Sequence, residues 1–459
     1  MSSPQTEDGA DLGRDTARAP LGVRYRWYVL GILTIVYALN FVDRQIIAVL
    51  SPAIQADLGL SDTVLGFLKG PAFALLYTTL GLPIAWLADR SNRVAIVSTA
   101  LAFWSAFTAL SGLAANVVQL SLARVGVGIG EAGCTPPAHS LISDYFPKEE
   151  RARAMAIYAL GIPFGGMLAF LAGSWLLEAF GWRIAFLFVG LPGVLFALVV
   201  RLTVREPSRG GFEPSAPISK HVAAKSADPS LSDGVPQSHR LRGVVADVRT
   251  LFSIPSYAGV TVAVTFASFT GYGSSFWTID YYVRAFDVTP ADIAIALALL
   301  NGGVYGAGTY LGGALADRFL SKTKGAYALV SAAGLSLTIF SGLLSVWAPS
   351  AFWALFWSAP FLLGLGLYLG PCFSLVQTLA PVRLRAFATA VFFFVINLIA
   401  LSGAPLWVGA ASDALQETFG SVTALRLALS SLALTSLASV AAFLWTARKL
   451  PADWAATEV

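Results

Sequence analysis

Stretch after stretch of this chain runs for about twenty residues or more with hardly a charge, and that pattern leaves few folds open. Crossing the roughly 30 Å hydrocarbon core of a bilayer takes about 20 apolar residues as a helix. Runs of that length sit near 27–50, 62–87, 94–114, 117–143, 154–179, 184–204, 257–283, 291–316, 326–347, 351–379, 386–410 and 423–447. Hydrocarbon offers a peptide group no hydrogen-bond partner, so only helices and closed barrels can span it. A barrel strand would alternate over about ten residues, and these runs are continuous. Charged residues make up 12% of the chain, about half the usual share for a soluble protein and too few to cover a water-facing surface. The expected fold is therefore an all-α membrane protein with twelve transmembrane helices.

Lysine and arginine set the orientation. With the N-terminus placed in the cytoplasm, 24 of the 30 fall on the cytoplasmic side, and the opposite loops hold only Arg183, Arg284 and Arg426. Under the positive-inside rule both termini are expected inside. The net charge of +4 then follows topology, and nucleic acid is not an expected partner. The polar N-terminal segment lacks a short apolar core with a cleavage site and reads as a tail, not a signal peptide. No Asn-x-Ser/Thr sequon occurs, which favours a bacterial inner membrane. Cys134 and Cys372 show neither metal spacing nor a disulfide framework, and no metal or cofactor is expected.

Two signatures recur in order. Ala88-Asp89-Arg90 returns 228 residues later as Ala316-Asp317-Arg318, and Arg151-Ala152-Arg153-Ala154 is echoed 232 residues on by Arg383-Leu384-Arg385-Ala386. The chain thus reads as two related halves. The expected division is a tail at 1–25, a six-helix bundle at 26–204, a cytoplasmic linker at 205–255, a second six-helix bundle at 256–447 and a tail at 448–459. The linker is rich in Ser, Pro and charge, with a short amphipathic helix expected near 242–253 on the inner membrane face. Transporter folds built from such repeats hold their substrate between the halves, near mid-membrane.

Ionisable residues inside spans are costly and need a partner or a wet cavity. Five stand out: Asp43 and Arg44 in the first span, Lys69 in the second, and Arg124 and Glu131 in the fourth. Arg124 and Glu131 are seven residues apart, close to two helical turns, so they share a face. At 1.5 Å per residue, Asp43, Arg44, Lys69 and Arg124 fall in one layer, with Glu131 about two turns deeper. Two carboxylates among three bases suggest a switch: burial favours a protonated carboxyl unless a cation stays close, so an arginine that changes partners changes proton affinity. A permanent cluster fixing helix register is the plainer alternative, and Lys69 alone could snorkel to the interface. The second half shows no charged equivalent and offers Tyr272, Trp277, Tyr305 and Phe394 instead. His139, near the inner end of the fourth span, reads as an interfacial histidine or a proton relay.

Two six-span halves joined by a cytoplasmic linker resemble the major facilitator superfamily. Its signature loop, Gly-x-x-x-Asp-Arg-x-Gly-Arg, is similar to the segment from Ala85 to Arg93, where Ala85 and Asn92 replace the glycines; the second copy keeps Gly313, Asp317 and Arg318. The resemblance implies that Asp89, Arg90, Arg93, Asp317 and Arg318 latch the cytoplasmic side in the outward-facing state. Asn40-Phe41-Val42-Asp43-Arg44, together with Arg124 followed by the glycine-rich run to Glu131-Ala132, resembles the spinster family. Gly133-Cys134-Thr135-Pro136-Pro137 departs from that family's Ser-Tyr-containing run. Eukaryotic spinster proteins move sphingosine-1-phosphate or lysophospholipids, which implies a lipid-like substrate here.

The expected function is a proton-coupled secondary transporter, not an enzyme, exporting an amphipathic substrate by alternating access. Asp43 and Glu131 are the expected proton-responsive groups. Arg44, Arg124 and Lys69 are the expected counter-ions or head-group ligands. Alternatives are a small organic-anion or sugar-acid proton symporter, and a non-transporting sensor of the same fold. Protons, membrane lipids and the substrate are the expected partners, and a monomer is the expected state. Zinc-protease and ATP-loop motifs are missing from the sequence.

Overall fold

Lipid forces each span to close its own hydrogen-bond ladder, and helix is the secondary structure that builds the described residues. The computed structural model describes residues 22–88, 90–209, 237–381 and 384–457. Asp89, Arg383, most of the N-terminal tail and the linker between 210 and 236 lie outside them.

The first half comprises α1 (Val23–Leu58), α2 (Asp62–Lys69), α3 (Pro71–Ala88), α4 (Arg93–Ser111), α5 (Val117–Glu131), α6 (Thr135–Tyr145), α7 (Lys148–Ala159) and α8 (Gly161–Thr203). Short polar residues start several of these helices. The side chains of Ser61, Asn92 and Asn116 accept from the backbone N–H three residues on, capping α2, α4 and α5. Gly181 sits at φ 79°, ψ 169° inside α8, a backbone geometry that favours glycine, and it divides a run too long for one crossing.

The second half follows α9 (Gln237–Phe252), which starts five residues before the expected amphipathic helix and meets the next helix at an 89° bend. Then come α10 (Pro255–Phe286), α11 (Pro290–Leu299), α12 (Gly306–Leu320), α13 (Ala326–Val346), α14 (Ala351–Leu367), α15 (Leu369–Leu379), α16 (Arg385–Ile396), α17 (Ser402–Phe419) and α18 (Ser421–Thr457). A π-helical turn, Leu300–Tyr305, joins α11 to α12, and another, Asn397–Leu401, joins α16 to α17. Among the described residues nine helices are long and apolar enough to cross a membrane, or ten counting the bent pair. Breaks explain the difference from the expected twelve. The 51-residue run Arg153–Thr203 contains the Gly181 kink, and α5 and α6 are interrupted between Glu131 and Thr135.

The distribution of core positions shows where the halves meet. One continuous apolar core runs through the first half and on into Phe276, Trp277, Tyr282, Val408 and Leu425 of the second. These residues lie toward the ends that the basic loops assign to the outside. The inner part of the second half keeps a separate core around Tyr257, Tyr327, Cys372 and Phe392. The halves are thus joined at the outer ends and parted toward the inner ends.

Small residues set how closely they join. A side chain at Gly66 of α2 would collide with the carbonyl oxygen of Pro405 in α17, and one at Gly409 with the carbonyl oxygen of Asp62. Backbone cannot retreat as a flexible side chain can. Gly66→Val is therefore expected to resist outer closure by about 1–3 kcal/mol, roughly 5- to 150-fold in the inward-to-outward ratio. Reactivity of an outer-end cysteine in the reconstituted protein measures this, and unchanged reactivity would refute it.

Candidate functional site

Consecutive residues on a helix point about 100° apart, and α1 uses this to separate two opposite charges. Asp43 turns into the first half, 2% exposed, where Trp104 of α4 donates its indole N–H to Oδ2 at 2.8 Å. Arg44 turns toward the space between the halves and donates from Nε to Glu131 Oε2 at 2.8 Å. Its guanidinium lies 4.4 Å from the Tyr77 ring centre, 5.2 Å from that of Phe73 and 5.3 Å from that of Phe41. Three aromatic faces and one carboxylate hold this cation where water is scarce.

Arg124 takes a third arrangement. Its Nη1 donates to the backbone carbonyl of Asp43 at 3.4 Å, not to the carboxylate, and its guanidinium lies 5.4 Å from the Phe73 ring centre. Gly128 and Gly130 let α5 approach so closely, since a side chain there would strike Phe73 O and Trp104. Asp43 Oδ1, Glu131 Oε1, Arg124 Nε and both amide atoms of Asn40 are buried without a well-formed hydrogen bond among the described residues. Native proteins leave few such groups without a role or an ordered water.

Of the five expected in-span charges, the structure brings four together. The layer assignment is corrected: Glu131, expected two turns deeper, is Arg44's direct partner. Lys69 stands apart. It is fully buried and does not snorkel, and its Nζ reaches Asp280 Oδ2 on α10 at 2.6 Å. The expectation that the second half holds no charged equivalent is corrected by that same Asp280, which is also fully buried. It had a visible signal, as a carboxylate inside the span near 257–283.

The Asp-Arg loops form no bridge between halves among their described members. Arg90 is exposed, donates to Trp86 O at 3.4 Å and stacks on the Trp86 ring. Arg93 is buried and bonds Asp144, Glu206 and Ser140, all in its own half. Asp317 accepts from Tyr327 at 2.8 Å, and Arg318 is exposed. Asp89 lies outside the described residues. Parted inner ends leave the described members no partner across the gap, as an inward-facing arrangement requires.

Between the halves lies a cavity of about 1240 Å³. Arg44 and Glu131 form its charged spot, and His139 lines it below, edge-on to Tyr158 at 5.4 Å. Much of the rest is aromatic or aliphatic, with Tyr272, Tyr305 and Phe394 on the far wall; Trp277 is buried outside the lining. Asp43, Arg124 and Lys69 do not line it. Asn301 and Asn397, one from each π-helical turn, add neutral hydrogen-bonding groups that the sequence reading passed over.

The pattern of the Major Facilitator Superfamily matches residues 33–405. An "MFS-type efflux pump" of Mycolicibacterium smegmatis is 31% identical over 422 residues, covering 92% of this chain and 91% of that protein. The "Probable L-galactonate transporter" of Escherichia coli is 27% identical over 267 residues, and the match spans 56% of its length. A crystal structure of a bacterial homologue of the human lysosomal transporter spinster, inward-facing and unoccupied, superposes with a TM-score of 0.83 at 30% identity. It covers 94% of this chain and 99% of that one.

Proposed function

Because this chain belongs to the Major Facilitator Superfamily as a spinster-like, multi-pass inner-membrane transporter of a small molecule, we propose that it exports an amphipathic, lipid-like substrate in exchange for protons by alternating access. One observation carries the coupling. Behind the Arg44–Glu131 pair, Asp43 is buried, and among the described residues its Oδ1 has no well-formed hydrogen bond and no cationic side chain bonds it. Such an oxygen is a natural place for a proton. Arg44 faces the cavity with Glu131, while Arg124, which bonds the Asp43 backbone carbonyl, stands beside Asp43. A proton shared between Asp43 and Glu131 would discharge the carboxylate at the cavity wall, and its release would restore a negative charge that a head-group ammonium can pair with. Proton and substrate would then compete for one carboxylate, which is the requirement for exchange.

Cavity size supports the substrate class. At about 1240 Å³ it exceeds the roughly 300–1,000 Å³ of ordinary ligand pockets, and its walls carry more aromatic and aliphatic than charged surface. Efflux by the mycobacterial relative supports the direction. A small sugar acid would leave most of this volume unfilled. The cavity-lining Arg44 and the L-galactonate relative make that the second reading.

Proteoliposomes carrying a pH-sensitive dye distinguish the two. Lysophosphatidylcholine, lysophosphatidylglycerol and sphingosine-1-phosphate are compared with L-galactonate. Dye response to the amphipathic compounds alone is the expected result. Response to L-galactonate alone would replace the substrate assignment, and specific binding with no flux from any compound would indicate a sensor.

A further inference from the structure

A second charged system joins the halves, well away from the Asp43 cluster in its connections. Asp280 of α10 is fully buried, and its partners come from the other half: Lys69 Nζ from α2 at 2.6 Å and Ser51 Oγ from α1 at 2.9 and 3.0 Å. Lys69 Nζ also lies 4.0 Å from the ring centre of Trp277, almost one turn before Asp280 on the same helix. Trp277 in turn donates to Pro405 O of α17 at 2.9 Å. One turn beyond Asp280, Arg284 forks onto Asp62 of the first half at 2.6 and 2.7 Å and reaches Gln55 at 2.7 Å. Asp413 of α17 accepts from the backbone N–H groups of Asp62 and Thr63, capping the start of α2 from across the interface.

The charges alternate. The first half presents Lys69 and then, toward the outside, Asp62; the second presents Asp280 and then Arg284. A one-turn slip would oppose like charges, so the pattern fixes one register. The layers differ in hydration, since both Lys69 and Asp280 side chains have 0% exposure while that of Arg284 retains 18%.

We infer that Lys69 and Asp280 form the outer gate, the residue pair that sets the balance between inward- and outward-facing states. The inference rests on the alternating-access reading. A buried pair is tolerated only while both charges face each other, and losing one strands the other in a dry interface. When the outer ends part, both groups gain water and neither needs its partner. Removing one charge therefore penalises only the closed state. Removing both leaves nothing stranded and largely restores the balance. A residue that merely stabilised the fold would not show this cancellation.

The test uses full-length protein in nanodiscs, spin-labelled at Val118→Cys and Glu417→Cys on the outer ends of the two halves. Both native cysteines are buried, so the labels go where intended. Double electron–electron resonance then reads the outer distance. Lys69→Met and Asp280→Leu are each expected to move most molecules to the longer distance, a shift of about a hundredfold or more in the ratio of states. The Lys69→Met/Asp280→Leu double variant is expected to return to the wild-type distribution. Where a single variant does not fold, the milder Lys69→Gln or Asp280→Asn takes its place and should show the same shift toward the longer distance, smaller in size. Folded single variants with wild-type distances, or a double variant as open as the singles, would overturn the gate. A wild type showing one distance under every substrate and pH condition would instead overturn alternating access.

Discussion

Asp43→Asn is expected to abolish substrate-driven proton movement in proteoliposomes while leaving substrate binding largely intact. The substitution keeps the size of the side chain, and its amide oxygen can still accept the Trp104 indole N–H. Only the titratable charge goes. Because Asp43 does not line the cavity, its loss should not remove a substrate contact. Proton transfer by one positioned group is worth about 10²–10⁴ in rate, so the dye signal should fall at least a hundredfold. Substrate exchange without a proton gradient should fall far less. Undiminished proton flux in this variant would remove Asp43 from the coupling path and leave Glu131 as the candidate.

Arg44→Ala should produce the largest loss of stability from any single change near the cavity. Glu131 has 0% side-chain exposure, and Arg44 is the cation that its carboxylate pairs with, at 2.8 Å. Stripping a buried ion pair of one partner typically destabilises by about 3–5 kcal/mol. The three rings around the guanidinium would lose their cation as well. Arg44→Ala/Glu131→Gln should recover most of the lost stability, because a neutral amide tolerates that site better than an orphaned carboxylate. Arg44→Lys should fall between, lacking a planar face to lay against Tyr77 and Phe73. Thermal unfolding in detergent ranks the variants. If Arg44→Ala and the double variant melt together, the pair contributes nothing to stability.

Much of the fold was legible because lipid is a demanding solvent. It requires long apolar runs and tolerates helix, so the spans and the two-half repeat stand out in the sequence. The same intolerance singled out Asp43, Arg44, Lys69, Arg124 and Glu131: charge in hydrocarbon is rare enough to signal a role. Asp280 meets the same criterion inside its own span, and no recurring motif surrounds it. Its importance comes from Lys69 and Ser51, 211 and 229 residues away.

What the sequence determined by itself is the class of solution: a helical membrane protein in two related halves, basic loops on one side, with a small set of in-span charges that must be paired. Tertiary structure alone decided the pairing. Adjacent residues on α1 were sent to different environments, Arg44 to the cavity and Asp43 to the interior behind it. Lys69 was removed from the cluster that its depth suggested and given to the other half. Helix period and depth along the membrane normal can be counted from residue order. Rotation of one helix against another, and closure of one half on the other, depend on side-chain packing between segments hundreds of residues apart, and on glycines such as Gly66 and Gly409 that let backbones touch.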